Sequence, residues 1–488
     1  MRPAILEAIP EQRLFIGGGW EDSRSGRTLP TYNPATGEVL GQVPLADAAD
    51  VDRAVQAAYA AFPAWASTPG AERGSRLRTL AAALRTQREE LARLDAINSG
   101  NVISGMRRDI DWAADSLDYF AGLIPEIKGE VLPSEASALH YSIREPFGVV
   151  GKINPYNHPV RFAAEKLAAP LAAGNTVVIK PPEQAPLSSL VLGQMVAEIF
   201  PPGVVNIVTG DGPTTGAALV QHPLVRRIAL IGSVEAGRAV MRGASDGLKT
   251  VTLELGGKNP LILFPEIDSN EAAEAAIGAM NLNRAGQSCS STSRVFVHRD
   301  LHDRFIETLL ARVKALRLGP PEREESQVGC LISREQYEKV LSYVEAGKRD
   351  GARLLYGGGP PEDPVLRRGF FVQPTLFDGV RPEMKIAQEE IFGPVIALMT
   401  WDDEEEMIRQ ANSVIYGLSA AIYTHDYAKA HRLARRIEAG YIWVNIPGGH
   451  ALGSPYGGIK QSGLGREECL DELLSYTQIK SIRMRLPG

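Results

Sequence analysis

The sequence predicts an α/β protein: a doubly wound, Rossmann-like domain, a second α/β domain after it, and a small β flap. Three observations predict it. From Gly148 onward, apolar β-branched runs alternate with helical stretches. The runs are near-continuous in apolar character, as in parallel strands covered on both faces by helices. A second block of the same kind starts near Pro260, and two strand-like segments, 129–145 and the tail from Tyr476 to Arg485, fit neither block.

Upstream of the first block, Leu77, Leu80, Leu84, Leu91 and Leu94 recur at helical spacing up to Ser99-Gly100, which predicts one long amphipathic helix whose leucines pack a core. The first block then reads GVVGKI, a helix from about Val160, TVVIK, a helix from about Leu187, and VVNIVTG. It continues with a short helix near Thr215, RRIALIG, a helix from about Glu235, and VTLELGG. The second block reads PLILF, a helix over Glu271 to Leu282, the strand SRVFVH, and a helix from Leu301 to about Leu316. The acidic run from Asp402 to Glu406 is assigned to a helix start, where the macrodipole favours carboxylates, rather than to a metal site. Strand segments without a partner are unstable in water and invite pairing with another chain, so a homodimer or homotetramer is expected. The predicted boundaries are 1–125 with 147–256 for a dinucleotide-binding domain, 257–468 for the domain carrying Cys289, and 126–146 with 469–488 for oligomerisation strands.

With 488 residues, 44% of them hydrophobic, the chain has material for two or three packed domains. Its 58 acidic and 52 basic residues give a net charge of −6, without the positive balance of a nucleic-acid binder. No apolar run approaches the roughly 18 residues of a membrane span. The stretch 1–19 carries Glu7, Glu11 and Arg13 and does not read as a signal peptide. Three scattered cysteines do not make a disulfide framework or a zinc cluster. These features predict a cytoplasmic protein with a small-molecule partner, no metal, no nucleic acid and no membrane.

Of the three cysteines, Cys330 and Cys469 read as small buried hydrophobes, whereas Cys289 lies in the small polar segment RAGQSCSST just before a strand. A thiol there is open to a cleft. Near its reference pKa of about 8.5 it is mostly protonated, so a catalytic thiol needs a base or a field. A candidate base, Glu254, ends the strand run VTLEL before Gly256-Gly257. Buried between leucines, such a carboxylate needs a partner; it is read either as that base or as the mate of a nearby lysine.

In order along the chain stand Pro146-Phe-Gly-Val-Val with Asn154-Pro-Tyr-Asn157-His-Pro, Lys180-Pro-Pro-Glu183, Ile231-Gly232-Ser233 with Gly237, and Glu254-Leu-Gly-Gly-Lys. Gly286-Gln-Ser-Cys289, Glu389-Glu390-Ile-Phe392-Gly-Pro and Pro455-Tyr-Gly-Gly-Ile-Lys460-Gln-Ser-Gly-Leu-Gly-Arg466-Glu467 follow. Together they resemble the aldehyde dehydrogenase superfamily from about Leu14 to the C-terminus. The resemblance implies a non-acylating enzyme that oxidises an aldehyde to a carboxylic acid with NAD(P)+ through a thiohemiacetal and then a thioester on Cys289. It implies that Asn157 and the Cys289 N–H stabilise the oxyanion, that Glu254 activates the hydrolytic water, and that Lys166 joins the catalytic set.

For the cofactor, which is NAD with NADP possible, the resemblance implies Ile153, Asn154, Tyr156, Lys180, Glu183, Gly212, Gly232, Ser233, Leu255, Gly256, Glu390 and Phe392. A Gly-x-Gly-x-x-Gly fingerprint is missing after the first strand. Glu183 favours NAD by repelling a 2′-phosphate, and Lys180 pulls the other way. Taken singly, Lys180 and Glu183 read as surface charges and Asn157 as a turn residue between prolines.

The chain departs from the family at the substrate mouth, where Tyr156 and His158 replace the usual Trp and aromatic, and Glu165 precedes Lys166. His158, Phe162 and Glu165 are the candidate pocket residues. Glu165 is read either as the i,i+4 ion-pair partner of Arg161 or as a charge lining the aldehyde tunnel that repels carboxylated substrates. Three other readings stand beside this one: a CoA-acylating relative, a catalytically silent structural member, and a generic Rossmann dehydrogenase acting on alcohols, for which no tyrosine, histidine or zinc constellation is visible. The presence of Glu254 speaks against the first, and Cys289 together with Glu254, Asn157 and Glu390 against the second.

Overall fold

The protein is described from a computed structural model over residues 13–487; the first twelve residues, part of the stretch read above for a signal peptide, and Gly488 lie outside it. Two mixed sheets organise the chain. The eight-stranded sheet runs in the order Gly19–Asp22, Arg13–Ile16, Val205–Ile207, Thr176–Lys180, Val149–Ile153, Val225–Ile231, Thr250–Glu254 and Gly463–Leu464. From Val205–Ile207 to Thr250–Glu254 the pairing is parallel. Every residue of Val149–Ile153 and Thr176–Lys180 is buried, because both faces carry helices. Alternate side chains go to opposite cores: Val150 and Val177 meet helices Pro159–Ala172 and Leu187–Ile199, while Val149 and Val178 meet the face of Ala48–Ser67 and Val234–Ser245.

Strand order decides where a ligand can enter. Val149–Ile153 has Thr176–Lys180 on one side and Val225–Ile231 on the other, so the connections leaving it wind in opposite directions. At such a switch point the helices diverge, and a crevice opens beyond the carboxyl ends of the strands.

The seven-stranded sheet has the order Arg353–Tyr356, Thr375–Asp378, Val395–Trp401, Arg294–His298, Pro260–Leu263, Ser419–Tyr423 and Tyr441–Val444, parallel except at its first strand. Asp403 caps the helix Glu404–Ala411 by accepting from Glu406 N, so the acidic run does start a helix. A third sheet joins Val131–Leu132, Ala138–Pro146 and Thr477–Arg485; the last two pair antiparallel from Thr477 with Pro146 to Arg485 with Ala138. The two segments left without partners in the sequence thus pair with each other.

Three sequence expectations change. The leucine stripe is two helices, Gly70–Thr86 and Arg88–Ser99, because Gln87 leaves helical geometry at ψ 17°. All five leucines are nonetheless fully buried, and the break lets both helices pack on Ile103–Leu123. The helix expected to reach Leu282 stops at Ala279, since Asn281 and Ala285 adopt left-handed φ values of 53° and 49° and fold the chain into the Cys289 loop. Gly463–Leu464, inside the segment expected for the second domain, crosses over to edge the first sheet beside Thr250–Glu254.

Candidate active site

Glu254 is held from both flanks by backbone. Gly232 N donates to its carbonyl at 3.0 Å, and Gly463 is its antiparallel partner on the other side. Its side chain therefore has a fixed origin, and it enters a cavity of about 600 Å³ together with Cys289, Lys166, His158, Phe162 and Tyr456. The carboxyl is buried and its Oε1 has no hydrogen-bond partner. Burial, and then the neighbouring Glu467 carboxylate, hold it well above the ordinary carboxylate range; the Lys166 ammonium works in the opposite direction.

Lys166 is fixed by two carboxylates, Glu165 Oε1 at 2.7 Å and Glu467 Oε2 at 3.0 Å. It is a positioned cation beside Glu254. Glu165 accepts from Arg161 Nε at 2.8 Å, so the i,i+4 pair exists, though buried rather than on the surface. Glu165 is not among the residues lining the cavity; Arg161 and Lys166 are. The tunnel-lining reading of Glu165 is therefore corrected, because two cations neutralise its carboxylate away from the wall.

Cys289 follows the left-handed turn at Ala285 and Gly286, and its carbonyl accepts from Asn259 Nδ2 at 2.7 Å. Gly257 is required beneath it, since a Cβ there would stand 2.5 Å from that carbonyl oxygen. The backbone N–H of Cys289 donates to no backbone or side-chain acceptor among the described residues. Burial pushes the thiol up to about 12, with the Glu390 and Glu254 carboxylates adding to the effect. The thiol is accordingly protonated at rest, and forming thiolate requires a proton acceptor or an arriving positive charge. Tyr456 is the thiol's neighbour on the wall, and its buried hydroxyl, hydrogen-bonded to the sulfur, partly offsets that rise. Sequence reading missed Tyr456, although it lies in the Pro455-Tyr-Gly-Gly motif; a hydroxyl inside a glycine-rich motif was the available signal.

Asn157, next to the lining residue His158, is buried rather than on the cavity wall. Its carbonyl accepts from Asn101 Nδ2 at 3.0 Å, while its own amide oxygen has no partner. His158 Nδ1 meets Asp109 Oδ2 at 2.9 Å, and Arg284 Nη2 donates to the other Asp109 oxygen at 2.6 Å. Burial drives His158 down to about 4, so its ring is neutral at physiological pH.

A second cleft, of about 480 Å³, opens at the switch point and is lined by Ile153, Gly212, Leu230, Ser233 and Val240. The lining is mostly apolar with a helix N-terminus at one end, where Ser233 caps Val234–Ser245. A flat apolar ring and a phosphate fit those two features. On the far side of Val149–Ile153, Lys180 Nζ donates to Glu183 Oε2 at 2.7 Å, and Asn154 N donates to the Lys180 carbonyl at 3.1 Å. The structure thus brings Ile153, Gly212 and Ser233 to one cleft, with Asn154, Lys180 and Glu183 at neighbouring strand ends and Gly232 beside Ser233.

Toward the thiol, Glu390 Oε1 accepts from Gly257 N at 3.1 Å, and burial raises its carboxyl to about 7. A Cβ on Gly256 would collide with the same carboxylate, so the glycine leaves Glu390 its place. Leu255 N donates to the Ser462 carbonyl at 2.9 Å, which fixes the backbone leading there. Phe392 takes a left-handed φ of 56° and packs edge-on to Tyr156 at 5.9 Å. Gly256→Ala should displace Glu390 and raise the KM for NAD+ severalfold with the fold intact; steady-state kinetics beside a thermal melt checks this, and an unchanged KM would show that Glu390 does not hold the cofactor.

The model of the aldehyde dehydrogenase family matches residues 20–482. Across 100% of this chain and 96% of the other, the sequence is 48% identical to aldehyde dehydrogenase tropH of Talaromyces stipitatus. Among solved structures, the NAD+ complex of an aldehyde dehydrogenase from Bacillus cereus is similar with a TM-score of 0.96 at 39% identity, over 100% of this chain and 99% of that one. A betaine aldehyde dehydrogenase of Staphylococcus aureus in complex with NAD+ is similar with a TM-score of 0.96 at 34% identity, over 99% and 96% of the two chains.

Proposed function

The chain belongs to the aldehyde dehydrogenase family, and on that premise we propose that Cys289 is the nucleophile and Glu254 the general base with which it oxidises an aldehyde to the carboxylic acid. The observation that carries this reading is the single cavity holding a thiol and a buried carboxyl with no hydrogen-bond partner on Oε1. Cys289 attacks the carbonyl carbon as its thiol proton passes to solvent water, the one proton that the overall oxidation releases. The oxyanion accepts from the Asn157 side-chain amide, one residue from the lining His158, and from the Cys289 N–H, which donates to no backbone acceptor among the described residues. Bound NAD(P)+ supplies the hydride acceptor, and a thioester on Cys289 remains. Glu254 then takes a proton from water as the water attacks the thioester, and the acid leaves with the thiol restored. Lys166, held by Glu165 and Glu467, limits how far burial raises the Glu254 carboxyl.

The protein binds NAD, as its relatives of known structure do. The apolar cleft at the switch point suits the adenine, Ser233 and Gly232 the pyrophosphate, and Lys180 with Glu183 the ribose. Glu390, Phe392, Tyr156, Leu255 and Gly256 frame the nicotinamide end. Glu183→Ser should raise the NADP+ to NAD+ ratio of kcat/KM about tenfold, since it deletes both a ribose acceptor and a charge that repels a 2′-phosphate; a ratio that does not move would place ribose recognition elsewhere.

The domain division follows the two sheets, cofactor on the first and nucleophile on the second. The exposed Val131 and Ile479 on the third sheet support its role as the strand flap of a homodimer or homotetramer. Among the described residues no helix is long and apolar enough to cross a membrane. The free state of Cys289, Cys330 and Cys469 supports a cytoplasmic setting. Assay of aldehyde with NAD+ and no CoA tests the activity: NADH and free acid in equal amounts are expected, and a strict need for CoA would sink the hydrolytic step.

A further inference from the structure

The ion pairs of the substrate cavity are unevenly distributed: Arg161 and Lys166 share three carboxylates, Glu165, Glu467 and Glu468, whereas Arg108 and Arg284 stand with one, Asp109, which Arg284 takes. Four cations line the cavity: Arg108, Arg161, Lys166 and Arg284. Arg161 is matched by Glu165 and by Glu468 at 3.2 Å, Lys166 by Glu165 and Glu467, and Arg284 by Asp109 at 2.6 Å. Burial raises the remaining wall carboxyl, Glu254, well above the ordinary carboxylate range. Arg108 has no carboxylate within ion-pair distance among the described residues, and it is exposed at the cavity rim.

The surroundings of Arg108 prepare it for an anion. With the Asn283 amide oxygen turned to the two guanidiniums, it accepts from Arg108 Nη2 at 2.9 Å and from Arg284 Nη1 at 3.1 Å. That neutral acceptor fixes the fork of Arg108 without cancelling its charge. One helical turn along Ile103–Leu123, on the same face, Trp112 lines the cavity, and its buried indole Nε1–H has no hydrogen-bond partner. The Arg161 guanidinium lies over the Trp112 ring at 4.9 Å, and Phe162 continues the apolar wall inward toward Cys289. The cavity wall thus carries the Trp112 and Phe162 rings, the Cys289 thiol, and in Arg108 a guanidinium without a carboxylate partner.

We propose that Arg108 recognises a negatively charged group at the far end of the substrate and that the Trp112 ring flanks the spacer, so that the preferred substrates are aldehydes carrying a carboxylate across an aromatic or other flat apolar spacer. The proposal rests on the aldehyde-oxidising reading and names its substrate class. It reverses the preference that Glu165 suggested from sequence, because that carboxylate is neutralised off the wall while Arg108 is not. A distal carboxylate gains a bidentate partner there, and a neutral analogue leaves the guanidinium as it was.

The test compares kcat/KM for 4-carboxybenzaldehyde and for its methyl ester with NAD+, in the wild-type protein and in Arg108→Gln, Arg108→Lys and Trp112→Phe. The wild type is expected to favour the carboxylate more than tenfold, with the preference shrinking as salt is raised. Arg108→Gln should collapse that ratio mainly through KM, because a distal contact is made equally in ground and transition states. Arg108→Lys should restore part of it, and Trp112→Phe, which keeps an aromatic ring beside the spacer, should leave the ratio within a few-fold. A wild-type ratio at or below one, or a ratio unchanged in Arg108→Gln while its melting temperature matches the wild type, overturns the proposal. Failure to reduce NAD+ with either aldehyde overturns the oxidation reading as well, and is told apart by the missing NADH.

Discussion

Cys289→Ala should abolish NADH formation, by on the order of 10⁴-fold or more in kcat, while the affinity for NAD+ stays within a few-fold. The nucleophile acts in bond making, and the cofactor cleft at the switch point lies among other residues. Serine at the same position should recover little, because burial already pushes even the thiol up to about 12, and a hydroxyl starts from a far less acidic value. Initial rates with saturating NAD+ and equilibrium titration of NAD+ by tryptophan fluorescence check both halves. Turnover by the alanine variant within tenfold of wild type would show that the thiol is not the nucleophile.

Glu254→Gln should slow steady-state turnover by about 10² to 10⁴-fold, the range for loss of a general base. One round of hydride transfer should still occur, leaving an acyl group on Cys289 that intact-protein mass spectrometry detects. The pH dependence separates this from a structural defect. The carboxyl of Glu254 is raised well above the ordinary range by burial and Glu467, and the base is its ionised form. Wild-type kcat should therefore climb as pH rises through a pKa above that of a normal carboxylic acid, and the glutamine variant should lose that limb. The same flat profile in both proteins would remove Glu254 from the rate-limiting proton transfer.

The parts of the fold read correctly from sequence are those with local causes. Near-continuous apolar runs such as Val149–Ile153 and Thr176–Lys180 became fully buried parallel strands, as the absence of polar alternation requires. The break at Gln87 was illegible because the leucine spacing continues across it, and only packing of both pieces on Ile103–Leu123 reveals it. The early end of Ser269–Ala279 turns on left-handed residues, Asn281 and Ala285, and alanine gives no warning of such a φ.

At the site, the chain alone determined the candidate nucleophile, the candidate base and the order of the glycine motifs, because each is a property of a few consecutive residues. The charge that an aldehyde meets was decided by tertiary structure. Glu165 shares one cavity-side cluster with Glu467, distant in sequence, and Lys166 joins them. Arg284, far along the chain from Asp109, takes that carboxylate and leaves Arg108, its sequence neighbour, without one. A charge in a low-dielectric wall acts through what remains after its partners are counted, and those partners are chosen by the fold rather than by adjacency along the chain.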